Sequence, residues 1–323
     1  MTTPDSLCPR CGYDLAGLIA GWKDRCPLKG RCPECGHDFS WGDLLDPSRK
    51  IPWWSFEHAD RRIVRAWVWT LARTLVPWRF WASIRLEFPF RPARLAVLIA
   101  AAALAMHAGY NAAYMLYRAI LGVPPVGGMR AAPFLSIEDA FYMLWPRTLL
   151  GEASLYIAPN FWYVSNGKTP AVTLCLLAAW AITPATFALL PETLGAAKVR
   201  ARHLIRAAGY ELPALLALAT LPSLARDLLT VSQTLAVAFG TSIPFTTSRP
   251  IELAMGTYKW RTTGLLMVAW HAWWWHWACA RYLLLPRPAS VALAMCLVAI
   301  LAALVVIVLC GPLGPRLMDH LRL

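Results

Sequence analysis

The sequence predicts an all-α polytopic membrane bundle of about five transmembrane helices that follows a small cysteine-rich module. Three observations lead to this fold class. Hydrophobic residues make up 58% of the 323 residues and charged residues only 15%, with a mean hydropathy of +0.46, a balance that ordinary soluble domains do not show. Apolar stretches of about 20 residues recur after residue 94. Two Cys-x-x-Cys pairs lie within the polar first 50 residues.

The two cysteine pairs are Cys8 with Cys11 and Cys32 with Cys35, and each pair contains a proline and is followed by a glycine. Two intervening residues let both sulfurs face one ion from a tight turn, and four thiolates are the ligand set of a structural Zn²⁺ site. A disulfide is disfavoured in a cytoplasmic segment, and a thioredoxin-like redox site would need a βαβ pattern, which this segment lacks. The sequence therefore predicts that residues 1–50 form a zinc ribbon whose metal supplies most of its folding free energy.

The zinc ribbon has two features that the spacing leaves open. Cys26 is either a substitute ligand or a spare thiol. A basic strip of the ribbon could meet phosphates, and it consists of Lys23, Arg25, Lys29 and Arg31. Trp22 is its one interleaved aromatic residue, which makes nucleic-acid binding unlikely, because base stacking needs aromatic side chains. A cytoplasmic protein partner or a structural role is favoured.

Five apolar stretches are long enough to cross a bilayer. They are residues 95–117, 171–190, 207–229, 262–285 and 289–309. The third is the least regular, because it contains two prolines and an Arg-Asp pair. Together the stretches predict a transmembrane domain over residues 95–312, followed by a short tail at 313–323.

The distribution of basic residues predicts the orientation. With these five spans, 21 lysines and arginines lie on the side of the amino terminus, nine lie on the other side, and one lies within a span. The positive-inside rule then places the amino terminus in the cytoplasm and the carboxyl terminus outside. The loop over residues 119–169 would lie outside. No pattern typical of a signal peptide precedes the first span.

The segment over residues 51–94 is predicted to be an amphipathic linker at the membrane surface. Its residues 58–75 have the apolar spacing of a helix, with arginines distributed among the apolar positions. Such a helix either lies in the cytoplasmic interface, with its basic groups toward anionic headgroups, or packs on the ends of the spans.

Ionisable residues inside the predicted spans are candidates for a polar intramembrane site, because they are expensive to bury in lipid. The four residues selected as this possible site are His107, Arg226, Asp227 and His271. For His107 a hydrogen bond between helices is the simpler interpretation. His271 lies among the five tryptophans of residues 270–277, which are expected to fill gaps between helices while each histidine is hydrogen-bonded.

Two parts of the sequence resemble known families. The stretch Arg-His-Leu-Ile-Arg-Ala-Ala-Gly-Tyr-Glu-Leu-Pro at 202–213, with Pro-Trp-Arg-Phe-Trp at 77–81, resembles Yip-type five-span membrane proteins. The amino-terminal module, with Cys-Pro-Arg-Cys-Gly-Tyr-Asp-Leu at 8–15 and Cys-Pro-Glu-Cys-Gly at 32–36, is similar to zinc-ribbon heads of bacterial membrane proteins of unknown function. These resemblances imply a helical bundle with a cytoplasmic amino terminus, and the second implies the inner membrane of a bacterium.

No catalytic motif accompanies these features, which favours a non-enzymatic role. The leading hypothesis is an integral membrane protein whose zinc ribbon binds a cytoplasmic protein partner or organises the membrane domain. An alternative is a transporter or channel with a polar pathway near Arg226, Asp227 and His271. A membrane-bound enzyme acting on lipid is a third possibility.

Overall fold

The protein is described here by a computed structural model that covers residues 6–23, 25–121, 178–187, 198–218 and 265–310, which are mostly helical. These residues belong to two compact units. The first unit contains the described parts of 1–99, 178–214 and 270–305, and the second contains those of 100–177, 215–269 and 306–323. In the second unit, the described residues are helical. The groups that form the candidate site all lie in the first unit.

The amino-terminal module contains a two-stranded antiparallel sheet and two short helices. Its elements are α1 (Ala16–Ala20), β1 (Lys29–Arg31), β2 (Asp38–Ser40) and α2 (Trp41–Leu45). Gly30 pairs with Phe39 across the sheet, and a Cβ at Gly30 would lie 2.7 Å from the rings of Phe39 and Trp41. Glycine at this position therefore lets the two rings cover the strand. They form a small buried core with Leu15 and two of the cysteines.

The linker forms two 3-10 turns and two α-helices. These are the turns Pro47–Lys50 and Phe56–His58, α3 (Ile63–Thr74) and α4 (Pro77–Ser83). The predicted helix over 58–75 thus begins at Ile63, because the turn that includes His58 is a separate element. The Thr70 hydroxyl donates to the Trp54 carbonyl at 2.6 Å and accepts from the Phe56 N–H at 3.0 Å. These two bonds fix α3 to the preceding turn.

The remaining helices coincide with parts of the predicted spans. They are α5 (Pro92–Leu121), α6 (residues 178–187), α7 (201–218), α8 (265–277, continued by a π-helical turn at Ala278–Tyr282) and α9 (Pro288–Cys310). Within the described ranges, one helix is long and apolar enough to cross a membrane, at Pro288–Val305. The five-span bundle is therefore not confirmed. One reason is that α7 begins ahead of the predicted third span and includes the charged Arg202 and Arg206.

The core of the first unit is rich in aromatic side chains. The Trp81 ring lies 5.0 Å from that of Trp274 and stacks on Tyr282 at 4.9 Å. Close approach of α5 and α7 depends on Gly209, since a Cβ there would lie 2.6 Å from a methyl carbon of Leu95. This packing brings the carboxyl end of α8 and the start of α7 together, where the polar groups of the candidate site are found.

Candidate metal centre and the buried polar network beside it

The four cysteines of the amino-terminal module converge on one point. The sulfurs of Cys8, Cys11, Cys32 and Cys35 all lie within 4.8 Å of one another. The Cys8 and Cys35 sulfurs are 3.7 Å apart, and those of Cys11 and Cys32 are 3.6 Å apart. Four sulfurs bound tetrahedrally at 2.3 Å to one Zn²⁺ would stand about 3.8 Å apart. The four predicted ligands are thus grouped closely enough to hold a metal ion, with spacings that suit zinc.

Both cysteine pairs have the same backbone structure. The N–H of Cys8 donates to the carbonyl of Tyr13 at 2.8 Å, and the N–H of Cys32 donates to that of His37 at 2.9 Å. In each turn the glycine after the second cysteine donates to the carbonyl of the first at 2.9 Å. Gly12 has φ +85° and Gly36 has φ +68°, in the left-handed region that favours glycine. The sequence Cys-Pro-x-Cys-Gly therefore builds two matching knuckles.

The thiols of the cluster differ in acidity. Burial raises the pKa of the Cys8 thiol and raises that of Cys35 to about 11. Burial also acts to raise the pKa of Cys32, but hydrogen bonds from the backbone N–H groups of Cys35 and Glu34 outweigh this effect and lower it. The thiols with a raised pKa are protonated at neutral pH, and metal binding requires their thiolate forms. A divalent ion would supply the positive charge that holds four buried thiolates together. The donor set therefore fits Zn²⁺.

Two other residues of the module, Cys26 and His37, were possible metal ligands by residue type. Cys26 is exposed, and its thiol donates to the carbonyl of Pro27 at 3.5 Å, outside the four-cysteine cluster. His37 is buried in the second knuckle, with Nε2 3.9 Å from a carboxylate oxygen of Glu87. Neither residue is therefore grouped with the four cysteines in the structure.

The start of α7 contacts the residues between the ligand cysteines. The N–H of Arg200 donates to the Arg10 carbonyl at 3.1 Å, and Nε2 of His203 contacts the Pro9 carbonyl at 2.8 Å. Lys198 donates to the Glu34 carbonyl at 2.8 Å and forms an ion pair with its carboxylate. Both knuckles are therefore held by one basic segment, residues 198–203, which we call the basic clasp.

His203 joins the clasp to the aromatic core. Its Nδ1 lies 2.7 Å from the Tyr282 hydroxyl. Burial lowers the pKa of His203 to about 3, so the ring is neutral at physiological pH. Because Pro9 offers only a carbonyl acceptor, Nε2 carries the proton, and Nδ1 accepts from Tyr282. One neutral imidazole thus connects the first cysteine knuckle to the end of α8.

A buried ion pair lies one helical turn further along α7. Arg206 donates to a carboxylate oxygen of Glu57 at 2.8 Å, and both side chains are at most 2% exposed. Glu57 also accepts from the Tyr210 hydroxyl at 2.9 Å and the Arg91 N–H at 2.8 Å. Arg206 further donates to the Tyr282 hydroxyl at 3.1 Å. The pair ties the linker, α7 and α8 into one polar network.

A second buried pair lies between α6, α7 and α8. Nδ1 of His271 is 2.6 Å from a carboxylate oxygen of Glu211, and its Nε2 is 2.9 Å from the Thr183 hydroxyl. The indole of Trp275 donates to the other Glu211 oxygen at 3.0 Å. His271 is thus hydrogen-bonded, as the sequence predicted for a histidine among these tryptophans.

The other predicted polar residues are not tested by the structure. Arg226 and Asp227 lie outside the described residues, as do residues 122–169 of the predicted outer loop and the 313–323 tail. His107 lies in α5, but its side chain is also outside the described part.

The structure identifies four candidate residues that the sequence did not predict. They are Glu57, His203, Arg206 and Glu211. Glu211 had a usable signal, because it is a carboxylate within the apolar stretch 207–229. His203 and Arg206 lie in the stretch that carries the Yip-type resemblance, but as sequence they indicated only topology. Glu57 has no local signal, because its partner Arg206 is 149 residues away.

Comparisons with known proteins give no relative. No protein-family model, curated protein or solved structure matches this chain. The fold and the site by themselves define the class of the molecule: a mostly helical chain with a four-cysteine, metal-competent module at its amino terminus.

Proposed function

We propose that this chain is an integral membrane protein whose zinc ribbon organises the cytoplasmic face of a helical membrane domain. The surface of α9 supports the membrane part, because only 28% of Pro288–Val305 is buried, whereas a core helix of a soluble protein would be mostly covered. Six large apolar side chains of this helix are exposed. They are Leu293, Leu297, Val298, Leu301, Leu304 and Val305. A lipid environment would satisfy such a surface.

The main support for the organising role is that the basic clasp forms hydrogen bonds to both knuckles. Pro9 and Glu34 lie at the tips of the two knuckles, and their carbonyls accept hydrogen bonds from His203 and Lys198. These tips are the groups that a separate protein would contact on a zinc knuckle. Since the chain itself occupies them, an internal structural role is favoured over the binding of a cytoplasmic partner.

Zinc-dependent cross-linking tests the proposal. Lys198 and Glu34 form an exposed ion pair, which a carbodiimide converts into a zero-length amide cross-link that mass spectrometry detects. In native membranes we expect this cross-link in the full-length chain and in Cys26→Ser, and its loss in Cys8→Ser/Cys11→Ser together with the bound zinc. Cys26→Ser is the matched control, because its thiol lies outside the cluster.

Affinity capture from the same membranes separates the two roles. An organising ribbon leaves the set of co-purified proteins unchanged when the clasp is released. A cross-link that persists without zinc, or a partner that disappears while the cross-link remains, would contradict the organising role.

Transport is a second candidate, because the buried His271–Glu211 pair lies between α6, α7 and α8, which coincide with parts of three predicted spans. A proton or cation pathway through this pair would need the Glu211 carboxylate, and the sequence alone offers Arg226 and Asp227 as further candidates. In proteoliposomes, ion flux that is lost in Glu211→Gln and Asp227→Asn but kept in the exposed control Asp38→Asn would favour transport. Absence of flux in the unmodified chain would exclude this pathway.

A further inference from the structure

Helix α3 has several large apolar residues on the side opposite to its most deeply buried face. Its buried face consists of the small residues Ala66, Thr70 and Thr74, each at most 2% exposed. Val64 on the outward side is 76% exposed and Val68 is 50% exposed. An ordinary surface helix has the reverse arrangement, with its large apolar residues inward. The outward apolar residues of α3 are therefore left uncovered by the part of the chain that the structure describes.

The outward residues form a continuous strip. At 100° per residue, Val64, Val68, Ala72 and Leu75 fall within an arc of about 80°, and all four are exposed. We call these four residues the apolar strip. Trp67 and Leu71, at the same spacing on the neighbouring flank, pack against the core instead. One flank of α3 therefore packs against the core, and the other flank is free for the interfacial placement that the sequence also allowed.

Basic and aromatic side chains border the apolar strip. Arg61, Arg62 and Arg65 at the start of the helix are exposed. The rings of Trp53 and Trp69, both exposed, lie 6.0 Å apart, and the Arg65 guanidinium lies 4.9 Å from the centre of the Trp53 ring. Arginine and tryptophan beside an apolar face are typical of helices that lie at the boundary between headgroups and acyl chains.

We propose that the apolar strip lies in a bilayer leaflet that contains anionic phospholipids, with the arginines on its border at the headgroups. Charge complementarity identifies this occupant. The exposed arginines complement negatively charged headgroups, and the apolar strip suits the acyl chains beneath those headgroups. The same compact unit also contains α9, the helix that is long and apolar enough to span a membrane. The inference rests on the proposed membrane function, and it adds a specific lipid contact to it.

Site-specific quenching tests this contact in the full-length chain. A genetically encoded fluorescent amino acid replaces Val64 in one variant, Leu297 of α9 in a second and Leu18 of α1 in a third; all three positions are exposed. Each variant is reconstituted in vesicles of phosphatidylcholine and phosphatidylglycerol in which the phosphatidylcholine is brominated on its acyl chains. We expect the probes at Val64 and Leu297 to lose most of their emission, and the probe at Leu18 to keep its emission.

The outcomes at Val64 and Leu297 are independent. Quenching at Leu297 without quenching at Val64 would overturn the lipid contact of α3 and leave the membrane proposal intact. Quenching at Val64 alone supports the contact and overturns the assignment of α9 as a span. Val68→Asp, which places a charge in the exposed strip, should reduce quenching at Val64 and leave that at Leu297 unchanged.

The lipid composition provides the last arm. Replacing phosphatidylglycerol by phosphatidylcholine should weaken quenching at Val64, because the arginines lose their anionic partners. Equal quenching at Val64 in both kinds of vesicle would overturn the anionic preference. Quenching at Val64 should also be compared between preparations with and without any co-purified protein. If it is absent whenever that protein is present, a protein rather than lipid covers the strip, and the lipid contact is overturned.

Discussion

The buried Glu57–Arg206 pair provides the sharpest test of how the first unit is held together. Glu57→Leu leaves the Arg206 guanidinium buried without its carboxylate and removes the acceptor of the Tyr210 hydroxyl. Removing one partner of a buried ion pair destabilises a protein by about 3–5 kcal/mol, because an uncompensated charge remains. We expect Glu57→Leu to lower the free energy of unfolding by about 4 kcal/mol.

The double variant distinguishes the charge from the packing. In Glu57→Leu/Arg206→Met neither charge remains, so its destabilisation should be smaller than the sum of the two single effects by about 2 kcal/mol or more. The assay is denaturant unfolding in mild detergent, followed by the near-ultraviolet circular dichroism of the buried tryptophans. Asp38→Asn is the control, because the exposed Arg31–Asp38 pair, 3.8 Å apart, contributes less than about 1 kcal/mol. Single variants that match this control, or strictly additive effects, would refute the reasoning.

Three further predictions concern the zinc ribbon and its contact with α7. Purified full-length chain should contain one zinc ion, and elemental analysis should find it lost in Cys8→Ser but kept in Cys26→Ser. Gly12→Ala should destabilise the ribbon by about 1–3 kcal/mol, because φ is +85° there and a Cβ would meet the guanidinium of Arg200. Gly17→Ala, in open space on α1, should be neutral or stabilising in the same unfolding assay. His203 has a folded-state pKa of about 3, below the unfolded value of 6.5, so its contribution is complete above pH 6.5 and is lost as pH falls toward 3. Between pH 7 and 5.5 the unmodified chain should therefore lose about 1 kcal/mol more stability than His203→Gln.

The sequence was sufficient for features whose determinants are close together along the chain. The grouping of the four cysteines is confirmed because each knuckle is built by five consecutive residues, and the predicted span 289–309 coincides with α9 because length and composition alone define such a helix. Pairings between distant segments were out of reach. Glu57 and Arg206 are 149 residues apart, and each taken alone is typical of a solvated residue.

Helix α3 shows a different limit of the sequence. Its periodicity indicated an amphipathic helix but could not show which of two apolar flanks would face the core. The side is decided by Thr70, whose hydroxyl binds the turn at Trp54 and Phe56 and so directs the face with the small residues inward. Hydrophobicity alone favours burial of Val64 and Val68. A prediction that ignores these hydrogen bonds would therefore bury the face that is exposed in the structure.

The contacts of the zinc ribbon also constrain how the chain can cross a bilayer. The Pro9 carbonyl contacts His203, and His203 contacts Tyr282, so these three parts of the chain must lie on the same side of any membrane that the protein spans. The number of crossings between residues 9 and 203, and again between 203 and 282, must therefore be even. The five stretches predicted from hydropathy would give two crossings in each interval, which is consistent with these contacts.

This parity predicts the outcome of an accessibility experiment. Epitope tags at the amino terminus and after the exposed Pro286 should be protected together in sealed right-side-out vesicles, whereas a tag at the carboxyl terminus, one predicted crossing later, should be accessible. Detergent permeabilisation, which should expose all three tags, is the control. If the first two tags report opposite sides, the Pro9–His203–Tyr282 connection cannot exist in the membrane-inserted protein. If all three are protected together, α9 does not cross the bilayer, and its exposed leucines and valines require a protein rather than a lipid cover.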